Sequence, residues 1–473
     1  MNALLTKIKE YFSAKVIIEL TGIILLLAIS LYVISGNVIF SSSPTDPIPL
    51  GLFIGAICLG AVIFIGLITY NVIKSDYRPN IVLSILLSVL FIIQLITILA
   101  FNNNIVYSMD LTIGTTYIFG YSLQTIDYVK SIFAFLMVLL ICFIIIDFMP
   151  KVFKDYEPVI YLLIAIIFVL NLATIIYSFI TEFDKIAGLF KMESFEELPD
   201  LALHSFYPSK NTFGIFLLCS MLGICYIAIR KYHHVWLVLL VLLLIPIFLT
   251  QCKLAIGIAL ALLIGFGIIR FLQTYKDNKQ RNWIVLASII GGVLLLGVIL
   301  LSIPKTAEMI KGLVDNMFQE KWGHSTMDGR EKIWSNSLLT MSYFNRFSGV
   351  GYKIFNGILL NFNNADEYYY FVTADTDSAH STYLELLGNG GISFLLVWLL
   401  IYSYSIYLLV KLFKEDKCLV SFEILVLITI TTLSVLEGGC IIFPQSAEYL
   451  FFTVFLFVPL LASKNKTTLR LFY

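Results

Sequence analysis

Residues 236–269 read WLVLLVLLLIPIFLTQCKLAIGIALALLIGFGII, and Lys253 is the one charged residue among them. About 20 apolar residues in an α-helix cross the hydrocarbon core of a bilayer, so this run is long enough for two spans. The polar residues Gln251 and Lys253 predict a tight turn between one span at 235–250 and another at 254–272. One long kinked helix is the alternative, and the length of the run favours two.

The composition of the whole chain indicates a membrane protein. Of its 473 residues, 59% are hydrophobic and 13% are charged, whereas a soluble domain carries about 25% charged residues. A soluble fold has no interior large enough for this much apolar surface, so lipid must cover part of it. The formal net charge is +0, which gives no indication of a nucleic-acid partner. The seven cysteines show neither metal-ligand spacing nor a disulfide framework.

The apolar runs predict an all-α polytopic membrane protein with about twelve transmembrane helices. The spans are expected near residues 16–40, 50–73, 81–101, 131–149, 159–181, 211–229, 235–250, 254–272, 283–303, 391–412, 418–436 and 448–462. Nine of them fall in residues 1–303. The other three fall in residues 391–473, together with a terminal tail. Residues 304–390 form a loop between these two parts that is too long for a simple connection.

The distribution of Lys and Arg predicts the orientation. With the N-terminus in the cytoplasm, the cytoplasmic segments carry nineteen of the 31 Lys and Arg residues, and the short outer connections 41–49, 102–129 and 437–447 carry none. Cytoplasmic loops of membrane proteins are enriched in these residues. We therefore expect both termini in the cytoplasm and the 304–390 loop on the outer side.

The 304–390 loop is expected to be largely helical. Residues 305–320 carry apolar side chains at helical spacing, which predicts an amphipathic helix on the membrane surface. A second helix is predicted from Asp328, a candidate N-cap, to about Phe344. A third is predicted to begin near Ser378.

Four residues carry functional chemistry on physical grounds. The guanidinium of Arg330 suits bidentate binding of phosphate oxygens, and His380 can accept a proton near neutral pH. Lys210 and Lys253 lie at the outer ends of spans, against the usual charge bias. Together the three cations could form a pocket for a diphosphate. The plainer alternatives are solvated loop residues for Arg330 and His380, and snorkelling to the headgroups for the lysines.

The acidic residue Glu423 lies within a predicted span. Glu423 lies near the predicted cytoplasmic end of the span at 418–436, and we expect it to snorkel to the headgroups. On that expectation, polar residues concentrate in the outer loops and not within the membrane.

Motifs in the outer loop resemble those of the O-antigen ligase and polysaccharide polymerase family. The family signature looks like Gly-Arg-x-x-x-Trp, then Gly-x-Gly, then His-(Asn/Ser)-x-x-Leu with glycine before the next span. Matching positions are Gly329, Arg330, Trp334, Gly349, Gly351, His380, Ser381, Leu384, Gly390 and Gly391. The segment 207–214, which contains Asn211, is similar to the family's element that opens a span. The turn 249–253 is similar to its Thr-x-Ser-Arg element. The resemblance covers residues from about 200 to 450.

Two departures from the ligase pattern concern the predicted diphosphate pocket. Lys253 stands where ligases usually have arginine. No arginine precedes Asn211, although Lys210 adjoins it. Both positions keep the positive charge but lose the bidentate fork. These departures favour a polymerase over a ligase.

The resemblance implies a GT-C-like fold and glycosyl transfer outside a bacterial plasma membrane. The donor would be an oligosaccharide on a polyprenyl diphosphate, used without metal or other cofactor. The acceptor would be another lipid-linked repeat unit for a polymerase, or a lipid A-core oligosaccharide for a ligase. Implied partners include a chain-length regulator and a flippase. The implied site consists of His380 for the acceptor hydroxyl, Arg330, Lys210 and Lys253 for the diphosphate, and Asn211, Trp334 and Tyr383 for other substrate contacts.

Two other classes of protein remain open at this point. A transporter of lipid-linked sugars would also have about twelve spans, but it would carry charged or broken helices near mid-membrane. A structural partner in an envelope assembly complex is the other alternative.

Overall fold

A computed structural model of the protein describes about half of the chain. The described residues are 79–100, 104–110, 116–122, 157–191, 201–205, 210–231, 233–274, 349–352 and 379–437, with scattered positions in 128–147, 330–341 and 354–359, and Tyr207 and Phe455. The predicted spans at 16–40, 50–73 and 283–303, most of that at 448–462, and the predicted helix at 305–320 lie outside these residues.

The described residues are mainly helical, as the apolar runs predict. The helices are α1 (Ile81–Ala100), α2 (Glu157–Thr181), α3 (Phe183–Lys191), α4 (Lys210–Arg230), α5 (His234–Leu249), α6 (Lys253–Thr274), α7 (Thr382–Leu412) and α8 (Lys417–Leu436). Six of them, α1, α2, α4, α6, α7 and α8, are long and apolar enough to cross a membrane. The chain is therefore a multi-pass membrane protein.

The division of the 236–269 run into two helices is confirmed. The first of them, α5, is the shorter, with 16 residues, and it contains Pro246 in its last turn. The Thr250 hydroxyl donates to the Ile247 carbonyl at 2.7 Å and accepts from the Cys252 amide at 3.2 Å. Gln251 has a φ of +52°. This side-chain-bonded turn reverses the chain directly before Lys253.

One element was not expected from the sequence. Strands β1 (Asn104–Asp110) and β2 (Thr116–Ser122) form a two-stranded antiparallel sheet, with Asn104 opposite Ser122 and Asp110 opposite Thr116. Residues 102–129 were predicted as a simple connection in an all-α fold, and that detail is corrected. The β-branched and aromatic residues of both segments are typical of strands.

The described residues fall into two compact units. The first draws on Met1–Val159, Trp334–Leu408 and Ser434–Tyr473, and the second on Ile160–Ile333 and Leu409–Leu433. In the second unit, α4 is the central helix, since nearly all of its residues from Phe213 to Ile229 are buried. Close helix contacts there use small residues: Gly223 of α4 lies against Ile164 of α2, and Gly265 of α6 lies against Leu425 of α8.

The buried position of Glu423 contradicts the expectation that its side chain snorkels to the headgroups. Its residue is 1% exposed within the second unit, and its Oε1 has no hydrogen-bond partner among the described residues. The neighbouring Phe422 packs edge-on against Tyr226 of α4, with ring centroids 5.0 Å apart. The packing of α8 against α4 therefore directs the Glu423 side chain inward and not toward the headgroups.

The first unit has an apolar core that supports the loop motifs. It consists of Ile98, Tyr128, Met341, Val350, Ile354, Phe355, Leu359 and Ala379. These residues come from α1, from the helical positions in 128–147, 330–341 and 354–359, from segment 349–352, and from the segment directly before α7. Residues that are distant in sequence thus position the start of α7.

Candidate active site

The two predicted lysines begin two helices whose first turns are in contact. Lys210 is the first residue of α4, and Lys253 is the first residue of α6. Between them, a Cβ at Gly214 would lie 2.9 Å from the Cys252 Cβ and 3.0 Å from the Ala255 Cβ. Only glycine allows this close approach of the two helix starts. The structure therefore brings the two lysine-bearing helix ends together.

The electrostatics of these helix starts favour an anion. A helix N-terminus carries roughly half a positive charge and unpaired amides, which normally attract an acidic side chain. Neither α4 nor α6 has an acidic residue in its first turn, and each begins with lysine instead. The half-buried Asn211 adds an amide beside Lys210. Two helix dipoles and two lysine side chains thus place positive charge at these helix starts.

A cluster around Glu182 was missed by sequence reasoning. Glu182 follows α2 directly and is 7% exposed. Its carboxylate accepts from the Lys185 Nζ at 2.8 Å and from the amides of Ser205 at 2.9 Å and His204 at 3.4 Å. The His204 Nε2 lies 3.5 Å from the Glu182 Oε1. The residues of this Glu182 cluster are up to 23 positions apart in sequence, so no local sequence motif indicates that they lie together.

The environment of Glu182 stabilises its ionised form. Burial acts to raise the pKa of the carboxyl group. Hydrogen bonds from the Lys185 side chain, the Ser205 amide, the Ser178 side chain and the His204 amide outweigh burial, and the pKa is lowered from its ordinary value of 4.5. The carboxylate is therefore charged at neutral pH and holds the 204–205 backbone tightly.

In the first unit, a buried carboxylate orients His380. The His380 Nδ1 lies 3.2 Å from the Glu437 Oε2, and the side chains are 27% and 7% exposed. Glu437 follows α8 directly and was missed in the sequence, because it is 57 residues from His380 within a connection that was otherwise unremarked. A carboxylate at Nδ1 fixes the ring and selects the tautomer whose Nε2 can accept a proton.

The backbone at His380 is held in an unfavourable conformation. Its φ is +45°, in the left-handed region. The Trp334 indole N–H donates to the His380 carbonyl at 3.4 Å. The Thr382 hydroxyl donates to the Glu437 carbonyl at 3.1 Å. Such strain persists when neighbouring contacts determine the geometry, and it is common at functional sites.

The Gly-x-Gly motif places a loop against the break in α7. In this glycine loop, residues 349–352, the Val350 amide donates to the Gly388 carbonyl at 3.0 Å, and the Gly351 amide donates to the Asn389 carbonyl at 2.8 Å. A Cβ at Gly349 (φ +68°) would lie 2.6 Å from the Gly390 and Gly391 backbone nitrogens. Gly349 is therefore required by its close contact with the backbone of α7.

Polar side chains from other segments complete this contact. Gln94 of α1 accepts from the Tyr352 amide at 2.8 Å and donates to the Asn389 carbonyl at 3.1 Å. Ser131 donates to the Tyr352 carbonyl at 2.6 Å. Buried backbone groups of a non-helical loop require such hydrogen-bond partners. Gln94 and Ser131 thus anchor the glycine loop to the rest of the unit.

The structure also describes two further predicted site residues, Arg330 and Tyr383. Arg330 is helical and half-buried, within the helix predicted from Asp328. Tyr383 is half-buried near the start of α7, and its ring packs edge-on against Trp398 at 5.9 Å. In the described chain, Trp334 is joined to His380, while the two lysines belong to the other unit.

Backbone strain coincides with these clusters. Among the described residues, three other than glycine have positive φ: Ser205, Gln251 and His380. They lie in the Glu182 cluster, in the turn before Lys253 and beside Glu437. At all three places, neighbouring contacts must hold a backbone conformation that is unfavourable for residues other than glycine.

The structure thus describes a membrane protein with several spans, in which one unit carries the lysine-led helix starts and the other carries the carboxylate-held histidine. Residues 238–399 match the model of a protein family described as O-antigen ligase. The match covers about a third of the chain, and it confirms the resemblance to this family that the sequence motifs indicate. No curated protein matches the chain.

Proposed function

We propose that the protein is a polysaccharide polymerase that joins polyprenyl-diphosphate-linked repeat units on the outer face of a bacterial plasma membrane. The observation that carries this proposal is the His380–Glu437 pair, because a histidine held at Nδ1 by a buried carboxylate suits removal of a proton from a hydroxyl. His380 belongs to the segment that bears the family motifs, and Glu437 reaches it from the end of α8.

The reaction transfers a glycosyl group from the diphosphate to the acceptor. The acceptor oxygen forms a bond to the anomeric carbon while the bond from that carbon to the diphosphate oxygen breaks, and the electron pair leaves with the diphosphate. His380 Nε2 takes the hydroxyl proton, and the ionised Glu437 stabilises the imidazolium that forms. Attack from the face opposite the leaving group inverts the anomeric centre. None of these steps requires a metal ion.

The cations act on the leaving group. A diphosphate leaves readily once its developing charge is stabilised. Lys210 and Lys253, with the positive helix ends of α4 and α6, supply that charge, and Arg330 adds a planar two-point contact. Asn211, Trp334 and Tyr383 remain proposed substrate contacts. In addition, the indole of Trp334 supports the His380 backbone.

The competing enzymatic function is that of an O-antigen ligase. The description of the matching family favours it. Lysine at 253 and the absence of an arginine before Asn211 favour the polymerase. The two functions differ only in the acceptor, so the acceptor is what an experiment must vary.

A transporter of lipid-linked sugars is the non-enzymatic alternative. The buried Glu423 within α8 and the break in α7 at Gly391 (φ +71°) are features that transporters share. The break has another explanation, because it receives the glycine loop. The carboxylate-held histidine favours the enzyme, because it suits removal of a proton from an acceptor hydroxyl.

The decisive experiment uses the purified full chain with a lipid-linked repeat unit. A ladder of longer products is expected when this unit serves as both donor and acceptor. Transfer only to an added lipid A-core acceptor would indicate a ligase, and movement of the unit across a vesicle without product would indicate a transporter.

The same assay tests His380 directly. His380→Ala should reduce chain extension by about 10²–10⁴-fold, while its amount in the membrane and its donor binding stay normal. Partial activity in His380→Gln would mean that orienting the hydroxyl matters more than taking its proton, since glutamine cannot act as the base. Long polymer from a normally inserted His380→Ala would remove His380 from the mechanism.

A further inference from the structure

A series of hydrogen bonds connects the end of α2 with the turn that begins α6. Glu182 accepts from the His204 and Ser205 amides. One residue earlier, the Leu203 amide donates to the Leu249 carbonyl at 3.0 Å. Leu249 is the last residue of α5, and the turn 250–252 leads from it to Lys253.

We propose that Glu182 is a positioning residue for the diphosphate of the lipid-linked donor. By holding residues 202–205 against the end of α5, it fixes the turn that presents Lys253. This inference rests on the proposed function, in which Lys253 binds the diphosphate.

The geometry explains why an acid is needed in a region that otherwise favours anions. Ser205 has a φ of +56°, a conformation that must be held by its neighbours. One carboxylate oxygen of Glu182 accepts the Ser205 amide, and the Ser205 hydroxyl donates to the Thr174 carbonyl at 3.0 Å. Charge-assisted bonds of this kind are stronger than neutral ones. The ionised state of Glu182 therefore contributes to holding the segment.

Lys185 completes the cluster from α3. Its Nζ bonds both the Glu182 carboxylate and the Ala202 carbonyl, the latter at 3.2 Å. The lysine thus neutralises the buried acid and ties the segment at a second point. Because Lys185 compensates the charge of Glu182 locally, the carboxylate can position Lys253 without competing strongly with the diphosphate for that lysine.

A residue of this kind should affect donor binding more than the chemical step. In the proposed mechanism, Glu182 touches neither the acceptor hydroxyl nor the anomeric carbon, so it has no direct part in the transition state. Loosening the turn should weaken the hold of Lys253 on the diphosphate. The expected signature is a raised KM for the donor with kcat nearly unchanged.

The test measures binding of a sugar-free polyprenyl diphosphate to the full chain in lipid nanodiscs, beside the kinetics of polymerisation. Glu182→Gln keeps the size of the side chain but removes its charge. We expect about a tenfold rise in Kd and in donor KM, as for the loss of charge-assisted hydrogen bonds. The matched control is Asp184→Asn, which makes the same charge change at an exposed position of α3 and should leave both constants unchanged.

Each outcome separates the inference from the proposed function. If Lys253→Ala raises Kd and Glu182→Gln does not, Glu182 has no positioning role while the diphosphate site stands. If both Lys253→Ala and Glu182→Gln bind the probe normally, the diphosphate site itself is wrong. An equal rise in Kd for Asp184→Asn would mean that Glu182 acts only through its charge, without a positioning role.

A second variant keeps the test usable if Glu182→Gln does not fold. Lys185→Gln removes one member of the cluster from a partly exposed position and leaves the amide bonds of Glu182 in place. It should raise Kd by about twofold to threefold and increase amide hydrogen exchange at residues 203–205. Unchanged binding together with increased exchange would overturn the inference.

Discussion

The imidazole Nδ1 of His380 lies 3.2 Å from the carboxylate Oε2 of Glu437, a residue that follows the last turn of α8. Because the carboxylate is buried, its charge acts on the ring with little screening by water. The contact fixes which imidazole nitrogen is available to the acceptor hydroxyl.

Removing the charge of Glu437 should slow the reaction without preventing donor binding. Glu437→Gln keeps the shape but cannot stabilise an imidazolium, and its amide N–H₂ favours the wrong tautomer. We expect kcat to fall by about 10²–10⁴-fold, with donor KM nearly unchanged. Polymerisation kinetics of the purified variant would check this, beside Glu415→Gln in the exposed turn after α7 as a control. A Glu437→Gln enzyme with normal kcat would exclude a role for the pair.

Arg330 and Lys253 should respond differently to exchange of lysine and arginine. Arg330→Lys keeps the charge but loses the two-point contact, so donor KM should rise about tenfold or more. Lys253→Arg should be tolerated, because the family commonly has arginine there. Donor titrations of both variants would provide the comparison. Near-normal activity in Arg330→Ala would remove Arg330 from the mechanism.

Gly349 should not accept a side chain. In Gly349→Ala, the Cβ would meet the backbone nitrogens of Gly390 and Gly391 at 2.6 Å, in a backbone conformation with φ +68°. The conformation alone costs about 1–3 kcal/mol, so the unfolding midpoint in detergent should fall markedly. Gly257→Ala is the control, because a Cβ there meets nothing within 4 Å. That variant should be neutral or gain about 0.5–1 kcal/mol. Equal stability of both variants would contradict the described glycine loop.

The orientation predicted from Lys and Arg can be tested at exposed residues. Asp184 is exposed on α3, and Lys414 is exposed in the turn between α7 and α8. In a background without the native cysteines, Asp184→Cys should react with an impermeant thiol reagent added to intact cells, and Lys414→Cys should react only after permeabilisation. The opposite pattern would invert the proposed topology and place the site in the cytoplasm.

Hydrophobic runs were sufficient to predict the spans that the structure describes. The boundary between α5 and α6 was predicted within about two residues, because Gln251 and Lys253 interrupt an otherwise apolar run. The hairpin of β1 and β2 was not predicted, since short segments between spans carry a weaker periodic signal than a span does. Glu423 was predicted wrongly, because distance along the helix from the membrane surface does not show which neighbour the side chain faces.

The residues of the candidate site also divide into those that were predicted from the sequence and those that were missed. His380, Arg330 and the lysines were found from residue chemistry and motif spacing, which are local properties of the sequence. Glu437 and the Glu182 cluster were missed, because their partners are distant in sequence: His380 precedes α7, and His204 and Ser205 precede α4. Trp334 was predicted as a substrate contact, and its observed bond to the His380 carbonyl is a tertiary contact that spacing could not give.

The stability that Glu182 contributes should depend on pH in a definite direction. Its pKa in the folded protein is lowered below the ordinary value of 4.5, so the folded state favours the ionised carboxylate more than the unfolded state does. The contribution is therefore fully present above pH 4.5 and is lost as the pH falls through the lower folded value. Lys185 is the cationic partner that faces the group, and the His204 ring lies 3.5 Å from the carboxylate.

The measurement compares wild type with Glu182→Gln by denaturant unfolding in detergent between pH 7 and pH 3. Near neutral pH, the variant should be less stable by about 1.5–3 kcal/mol, the usual magnitude for hydrogen bonds to a charged group. The difference should shrink below pH 4.5, because a protonated glutamic acid and a glutamine make similar bonds. Asp184→Asn should show no such trend, because Asp184 is exposed. A difference between wild type and Glu182→Gln that stays constant from pH 7 to pH 3 would mean that the charge of Glu182 does not hold the 202–205 segment.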